Sequence, residues 1–386
     1  MMERKLIYIS HARLTDRISR DYFIDYCIER NAVVEYWDIV SLVREEHDER
    51  GTLDVDYLKY IKTYQQFEML VRQTENQDAV YVMEISYSGR FSKPYRILSR
   101  YNCIMVSLNL GAMPVTGSAH WGQRRIISRF IKNPARFVKT VIDVLQGIAY
   151  KKLGIVNRFE IVFAAGSVLS STNQYAKRVV PFNLFDYEQY NRVKSASQRV
   201  VKERYAVFLD INLPYQSDLA IERLMALNAI GYFKSLNRFF DLLENVYAIK
   251  VVIAAHPKAN YINDEFNQRE VYRMVTAELV KDAEFVITHT STSLSYAVLN
   301  YKSILFIYTD EMLRIYKSTV IRQIESLASY LNANVYNIDK ISNGYEVKLE
   351  PLTRERYELY KYNYITTPNS ENLRSSEIFL HEIAQL

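Results

Sequence analysis

A chain of 386 residues, 49% apolar and 24% charged, has the composition of an ordinary globular protein, and its length suffices for two domains. That apolar content excludes a disordered chain. A net charge of +5 suits an anionic ligand or surface but falls short of a nucleic-acid footprint, and two cysteines, Cys27 and Cys103, are too few for a disulfide framework.

No run approaches the roughly 18 apolar residues of a membrane span, and the charges at Glu3, Arg4 and Lys5 lead into a strand rather than a signal peptide. A cytoplasmic protein with buried thiols is expected. The 32 tyrosines are scattered through helical and strand patterns alike, which points to amphipathic packing at half-buried positions.

Lys5–Ser10 reads as the first strand. A loop over His11 to Asp16 and a helix from about Ile18 to Arg30 follow. Ala32–Ile39 is a second strand, and Asp56 to Gln73 carries helical spacing in Tyr57, Ile61, Tyr64, Phe67 and Val71. Asp78–Ile85 and Cys103–Asn109 are further strands with a helix between them. This alternation predicts a parallel, doubly wound sheet.

From His120 to Lys152 the composition shifts. Arg124, Arg125, Arg129, Lys132, Arg136, Lys139, Lys151 and Lys152 face the single acid Asp143, and apolar residues recur at helical spacing around a break at Pro134. Such a helix suits an anionic membrane interface; a domain helix with a solvated basic face is the plainer alternative. Glu160–Ala165 and Arg178–Phe182 resume the strand pattern, and Asp186 to Val200 reads as a charged helix.

Tyr205–Asp210 opens a second series. A long helical stretch runs to Tyr247. Then come the strands Val251–Ala255, Phe285–Thr288 and Ser303–Tyr308, a helix from Glu311 to Leu331, and a last strand, Asn334–Ile338. The tail from Thr353 is helical in pattern and is expected to cross back. The predicted architecture is α/β, with two Rossmann-like domains facing a cleft: residues 1–202 on the acceptor side and 203–386 binding the nucleotide.

In open α/β sheets, ligands bind at the carboxyl ends of strands. His256-Pro257-Lys258 follows one buried strand, and Thr290-Ser291-Thr292-Ser293 follows another. Pro257 stiffens the turn, His256 is a proton or hydrogen-bond donor for a leaving phosphate, and Lys258 is a point charge or a solvated lysine. The hydroxyl cluster is expected at a helix N-terminus, either as a cap or as an anion site. Thr276 and Glu278 on the intervening helix are weaker candidates.

Asp210, at a strand end, is a candidate general base or a turn cap, with Glu84 as its rival. His11, Asp16 and Arg17 occupy the loop after the first strand, on the acceptor side. Asp54 and Asp56 form a D-x-D pair read as acids at a helix start rather than a metal site. No His/Cys ligand spacing occurs, and G-x-G-x-x-G, Walker A and G-x-S-x-G patterns are absent. Neither a metal nor a bound cofactor is expected.

With these residues in view, the chain resembles bacterial surface-carbohydrate and capsule glycosyltransferases of the two-Rossmann GT-B type, most closely the His-Pro-motif sialyltransferases and Kdo-type transferases. His256-Pro257 matches the His-Pro motif. Thr290 to Ser293 match the motif that holds the CMP phosphate and ribose, and Asp210 stands where an acidic motif carries the base. Here that motif reads Asp210-Ile211-Asn212, without the second acid and glycine. The resemblance also touches RKLIYISHARLTDR and VVEYWDI near the amino terminus.

It implies metal-independent transfer of a sugar, a nonulosonic acid from a CMP donor, to a glycan or lipid-linked acceptor at the cell surface. The basic helix would park the enzyme peripherally on the inner face of the plasma membrane. Two readings compete: a nucleotide-sugar epimerase or hydrolase of the same fold, and a non-catalytic polysaccharide-assembly module. Nucleic acid is not an expected partner, because the basic residues cluster on one helix rather than interleaving with aromatics along a sheet.

Overall fold

The computed structural model describes residues 4–43, 52–89, 91–110, 113–114, 134–168, 170, 172–215, 227–317 and 320–386. They divide into two compact units. The first takes in the described residues up to Leu110, then those from 134 to Asn183 and Pro368–Leu386; the second takes in 113–114 and Leu184–Thr367. The helix Phe185–Val193 therefore lies with the second unit, ahead of the boundary expected near residue 202.

The first unit holds a seven-stranded parallel sheet. Its strands are β1 (Leu6–Ser10), β2 (Val34–Asp38), β3 (Leu58–Tyr60), β4 (Val80–Met83), β5 (Ile104–Asn109), β6 (Phe159–Ala165) and β7 (Ala176–Phe182), in the order β3-β2-β1-β4-β5-β6-β7. The second unit repeats the plan with six parallel strands. These are β8 (Tyr205–Leu209), β9 (Lys250–Ala254), β10 (Val271–Tyr272), β11 (Phe285–Thr288), β12 (Ser303–Tyr308) and β13 (Val335–Asn337), ordered β10-β9-β8-β11-β12-β13. In both sheets the chain builds outward on one side of its first strand, then crosses over and builds on the other. The direction of winding reverses between β1 and β4, and again between β8 and β11.

Buried crossover sheets need strands apolar on both faces, and β1, β4, β8 and β11 are buried at every residue. Pro181, which cannot donate to a ladder, sits in β7 at the sheet edge, where that donor is dispensable. Cys27 and Cys103 are free and buried, and desolvation pushes their thiols up to about 12 and about 11.

Several elements differ from the sequence pattern. The helix expected from Ile18 to Arg30 is two short ones, Asp16–Asp21 and Ile24–Ile28, because Phe23 turns left-handed at φ 62°. That turn sends the Phe23 ring onto Phe182 and Phe379, each 5.8 Å away between centroids. The stretch Asp56 to Gln73 is the edge strand β3 followed by a helix, Tyr64–Arg72, that starts at the Thr63 cap. Lys59 in β3 reaches Glu35 of β2 at 2.7 Å. The helix read from Glu311 to Leu331 is likewise two, Asp310–Tyr316 and Val320–Leu331. At the carboxyl terminus, the helix Ser375–Ile383 packs in the first unit, with Phe379 centred 5.1 Å from Phe163.

Candidate functional site

Since every strand of the second sheet runs the same way, its chemistry-bearing residues emerge on one edge. Asp210 follows β8, His256 follows the end of β9, Thr276 opens the helix after β10, and Thr290 to Ser293 follow β11. The winding reversal between β8 and β11 is where such sheets leave a crevice for a ligand, and Asp210 and His289-Thr290 stand on its two sides.

Asp210 is 4% exposed, and both of its carboxyl oxygens are engaged. Oδ1 accepts the Asn212 N–H at 2.8 Å. Oδ2 accepts the His256 N–H at 3.1 Å and the Tyr261 hydroxyl at 2.6 Å. Burial raises its pKa, and the Tyr261 hydroxyl and the two backbone donors act against that rise. His256 is half-buried, and its Nδ1 accepts the Lys258 N–H at 3.2 Å. Pro257 and Lys258 are exposed. Tyr261, which the sequence pattern did not single out, is braced edge-on by Phe233 and Phe266, at 5.9 and 5.0 Å.

Beyond β11, Ser291 is 8% exposed and its Oγ accepts the Ser293 N–H at 3.3 Å. Thr292 is exposed, and Thr290 and Ser293 are half-buried. The expected hydroxyl cap does not form: the helix Leu294–Leu299 has six residues, and the Ser293 side chain accepts no cap hydrogen bond. The hydroxyls therefore matter as a polar loop, without a long helix dipole behind them. Ser295 instead ties the helix to Asp186 and to the Thr292 carbonyl. His289, overlooked within this run, is wholly buried; its Nε2 lies 2.8 Å from the Tyr232 hydroxyl and its Nδ1 lies 2.6 Å from the Ile307 carbonyl oxygen.

The first unit carries a second titratable group at its own winding reversal. Glu84 follows β4 beside Ser10 at the end of β1, and its N–H donates to the Ile9 carbonyl at 3.0 Å. Its Oε1 is buried without a hydrogen-bond partner. Desolvation pushes the carboxyl up to about 8, tempered by the Ser10 hydroxyl. His11 comes next in the chain, its ring 6.0 Å from that of Phe91. Arg13 pairs with Asp38 at 2.8 Å. Asp16 and Arg17 are exposed in the first turn of their helix, and Arg17 is paired with Asp21 at 3.1 Å.

The D-x-D pair lies in the loop and turn ahead of β3, not at a helix start. Among the described residues no three His, Cys, Asp or Glu side chains are grouped to hold a metal ion. Of the basic segment, Arg124, Arg125, Arg129 and Lys132 fall outside the described residues, as do the side chains of Arg136 and Lys139. The helix itself, Pro134–Lys152, presents Val138, Val141, Ile142, Leu145 and Ile148 to solvent, with Leu145 60% exposed. Lys151 is turned inward, its ammonium 4.4 Å from the ring centres of both Tyr87 and Tyr175. No described helix is long and apolar enough to cross a membrane.

Two parallel, doubly wound α/β units in one chain define the GT-B class of fold. No protein-family profile and no curated protein matches the chain in sequence. Among solved structures, the calicheamicin glycosyltransferase CalG4 is similar over 100% of this chain and 98% of its own, at 11% identity and a TM-score of 0.54. The glycosyltransferase of kitacinnamycin is similar over 98% of both chains, at 12% identity and a TM-score of 0.52. A variant of the wall teichoic acid polymerase TagF is similar over 99% of this chain and 89% of its own, at 8% identity and a TM-score of 0.51.

Proposed function

We propose that this protein is a metal-independent glycosyltransferase that takes a sugar from a nucleotide-activated donor. The observation that carries this reading is the shared sheet edge of the second unit, where His256, Lys258, Thr276 and the hydroxyls of Thr290 to Ser293 follow neighbouring strands around the β8/β11 reversal. Preorganised donors at such an edge compensate the charge that grows on a departing phosphate. The finer assignment, a nonulosonic acid carried by CMP and passed to a bacterial cell-surface glycan, rests on the likeness of the His-Pro and Ser/Thr motifs to those of sialyltransferases.

The first unit is assigned the acceptor side. Glu84, half-buried at the end of β4 with its Oε1 buried and unpartnered, is the group to take the proton from an acceptor hydroxyl. His11, Asp16 and Arg17 lie along the loop and helix that follow β1. The exposed apolar stripe of Pro134–Lys152, in a segment rich in Lys and Arg, supports peripheral docking on an anionic membrane that holds a lipid-linked acceptor.

A thermal-shift series with CMP, CDP, UDP, GDP and their sugars tests the reading. CMP or another pyrimidine nucleotide is expected to raise the melting temperature most. No shift with any nucleotide would remove the nucleotide site, and rapid, stoichiometric consumption of donor without acceptor would point to an epimerase or hydrolase instead.

A further inference from the structure

What Asp210 can do depends on which of its lone pairs are already in use. Oδ1 closes the turn to Asn212, which sits left-handed at φ 53°, and Oδ2 holds both the His256 amide and the Tyr261 hydroxyl. At 4% exposure, with three donors already on its two oxygens, the carboxylate is turned inward and keeps at most one lone pair, on Oδ1, for an acceptor hydroxyl. What it does in place is pin the end of β8 to the end of β9. The Asp210 N–H adds to that by donating to the Ala254 carbonyl at 3.1 Å.

The ring of His256 is fixed by the same turn. Nδ1 accepts the Lys258 N–H, and a neutral imidazole that accepts on Nδ1 carries its proton on Nε2. Tyr261 contributes from the following loop, and Phe233 and Phe266 against its ring restrict the phenol to the direction of Asp210.

We infer that Asp210 and Tyr261 are positioning residues that hold His256 as its Nε2–H tautomer toward the donor phosphate, and that Asp210 is not the base of the reaction. The inference rests on the reading of this edge as the nucleotide site and assigns Tyr261 a part in it.

Two measurements on the full chain test it. The first is the histidine side-chain spectrum of 15N-labelled protein, which needs no ligand, with His256→Ala identifying the signal. His256 is expected as Nε2–H in the wild type and as a tautomer mixture in Tyr261→Phe and Asp210→Asn. The second is calorimetric titration with CMP, and with UDP if CMP gives no heat. Each of the two variants is expected to weaken nucleotide binding by about 5- to 30-fold, the scale of one or two lost hydrogen bonds. In a His256→Ala background, either change should then alter affinity by less than about twofold, because both act through the missing ring.

A wild-type ring protonated on Nδ1 would overturn the inference. So would an Asp210→Asn protein that keeps wild-type nucleotide affinity but has no turnover, the signature of a lost base. Should Asp210→Asn fail to fold, Tyr261→Phe carries both measurements. If neither nucleotide binds while the ring behaves as expected, the nucleotide reading fails and the positioning of the ring stands.

Discussion

Nδ1 of His289 lies 2.6 Å from the carbonyl oxygen of Ile307 and therefore carries the ring proton, which leaves Nε2 to accept from the Tyr232 hydroxyl 2.8 Å away. Both bonds suit a neutral ring, and complete burial lowers its pKa from 6.5 to about 4. An unfolded chain binds this proton first as pH falls. Stability is therefore fully present above the unfolded value, declines between 6.5 and about 4, and is level below. The whole loss is about 3 kcal/mol. Urea unfolding should show the wild-type advantage over His289→Gln shrinking by about 2–3 kcal/mol between neutral pH and about pH 4.5. Parallel acid profiles for the two proteins would contradict this account of the ring.

Glu84 titrates in the opposite sense. Its folded-state pKa of about 8 lies above the ordinary carboxyl range, so the fold favours the neutral form and loses stability as pH rises through about 8. The proposed base works only when ionised, so kcat/KM is expected to climb with pH through about 8 and level off above it. Glu84→Gln should cut turnover by about 10²- to 10⁴-fold and remove the climbing limb. The same variant should gain stability relative to the wild type as pH rises from about 4.5 to 8, because the amide has no charge to desolvate. A turnover profile that keeps its limb in the variant would place the base elsewhere.

The sheets were legible in the sequence where their strands are buried on both faces. Phe285–Thr288 and Ser303–Tyr308 match β11 and β12 end to end, since continuous β-branched and aromatic runs leave few alternatives. The edge strands β3 and β10 were not legible: both are short and half-exposed, and β3 fits within a helical spacing. The break at Phe23 has no glycine or proline to announce it, because long-range packing against Phe182 and Phe379 sets the turn. In the site, Asp210 and His256 could each be named from their places at strand ends. The Tyr261 link could not, since that residue is one of 32 tyrosines and its bond to Asp210 spans 51 positions.

The helix Pro134–Lys152 makes a prediction that separates membrane docking from an idle surface. Ile142 and Leu145 are 48% and 60% exposed, so a charge placed on either should change stability by only about 0.5 kcal/mol. On vesicles rich in anionic lipid, burying such side chains is worth about 1–2 kcal/mol apiece. Ile142→Glu with Leu145→Glu should accordingly lower co-sedimentation with anionic vesicles at least about tenfold and leave the melting temperature in place. Added salt should weaken the wild-type interaction as well, through screening of the basic residues. Equal sedimentation of wild type and variant would remove the lipid surface as the partner of this stripe.

The last helix tests how far the first unit depends on the end of the chain. Phe379 is wholly buried, and its ring lies 5.8 Å from that of Phe23 and 5.1 Å from that of Phe163. The approach to the helix is tied down as well: the Asn183 side-chain amide donates to the carbonyls of Ser370 and Leu373, both at 2.9 Å, and the Ser370 hydroxyl donates to the Phe182 carbonyl at 3.2 Å. Phe379→Ala removes a ring from the middle of this cluster and should cost about 3–5 kcal/mol. Leu373→Ala, at a position 53% exposed, should cost little. Deleting residues 368–386 uncovers Phe23, Phe163 and Phe182 together and deprives the Asn183 amide of both acceptors, so the truncated protein is expected to melt well below either point variant. Denaturant titrations of the three proteins measure the order directly, and a truncated form as stable as the full chain would show that the helix lies outside the core.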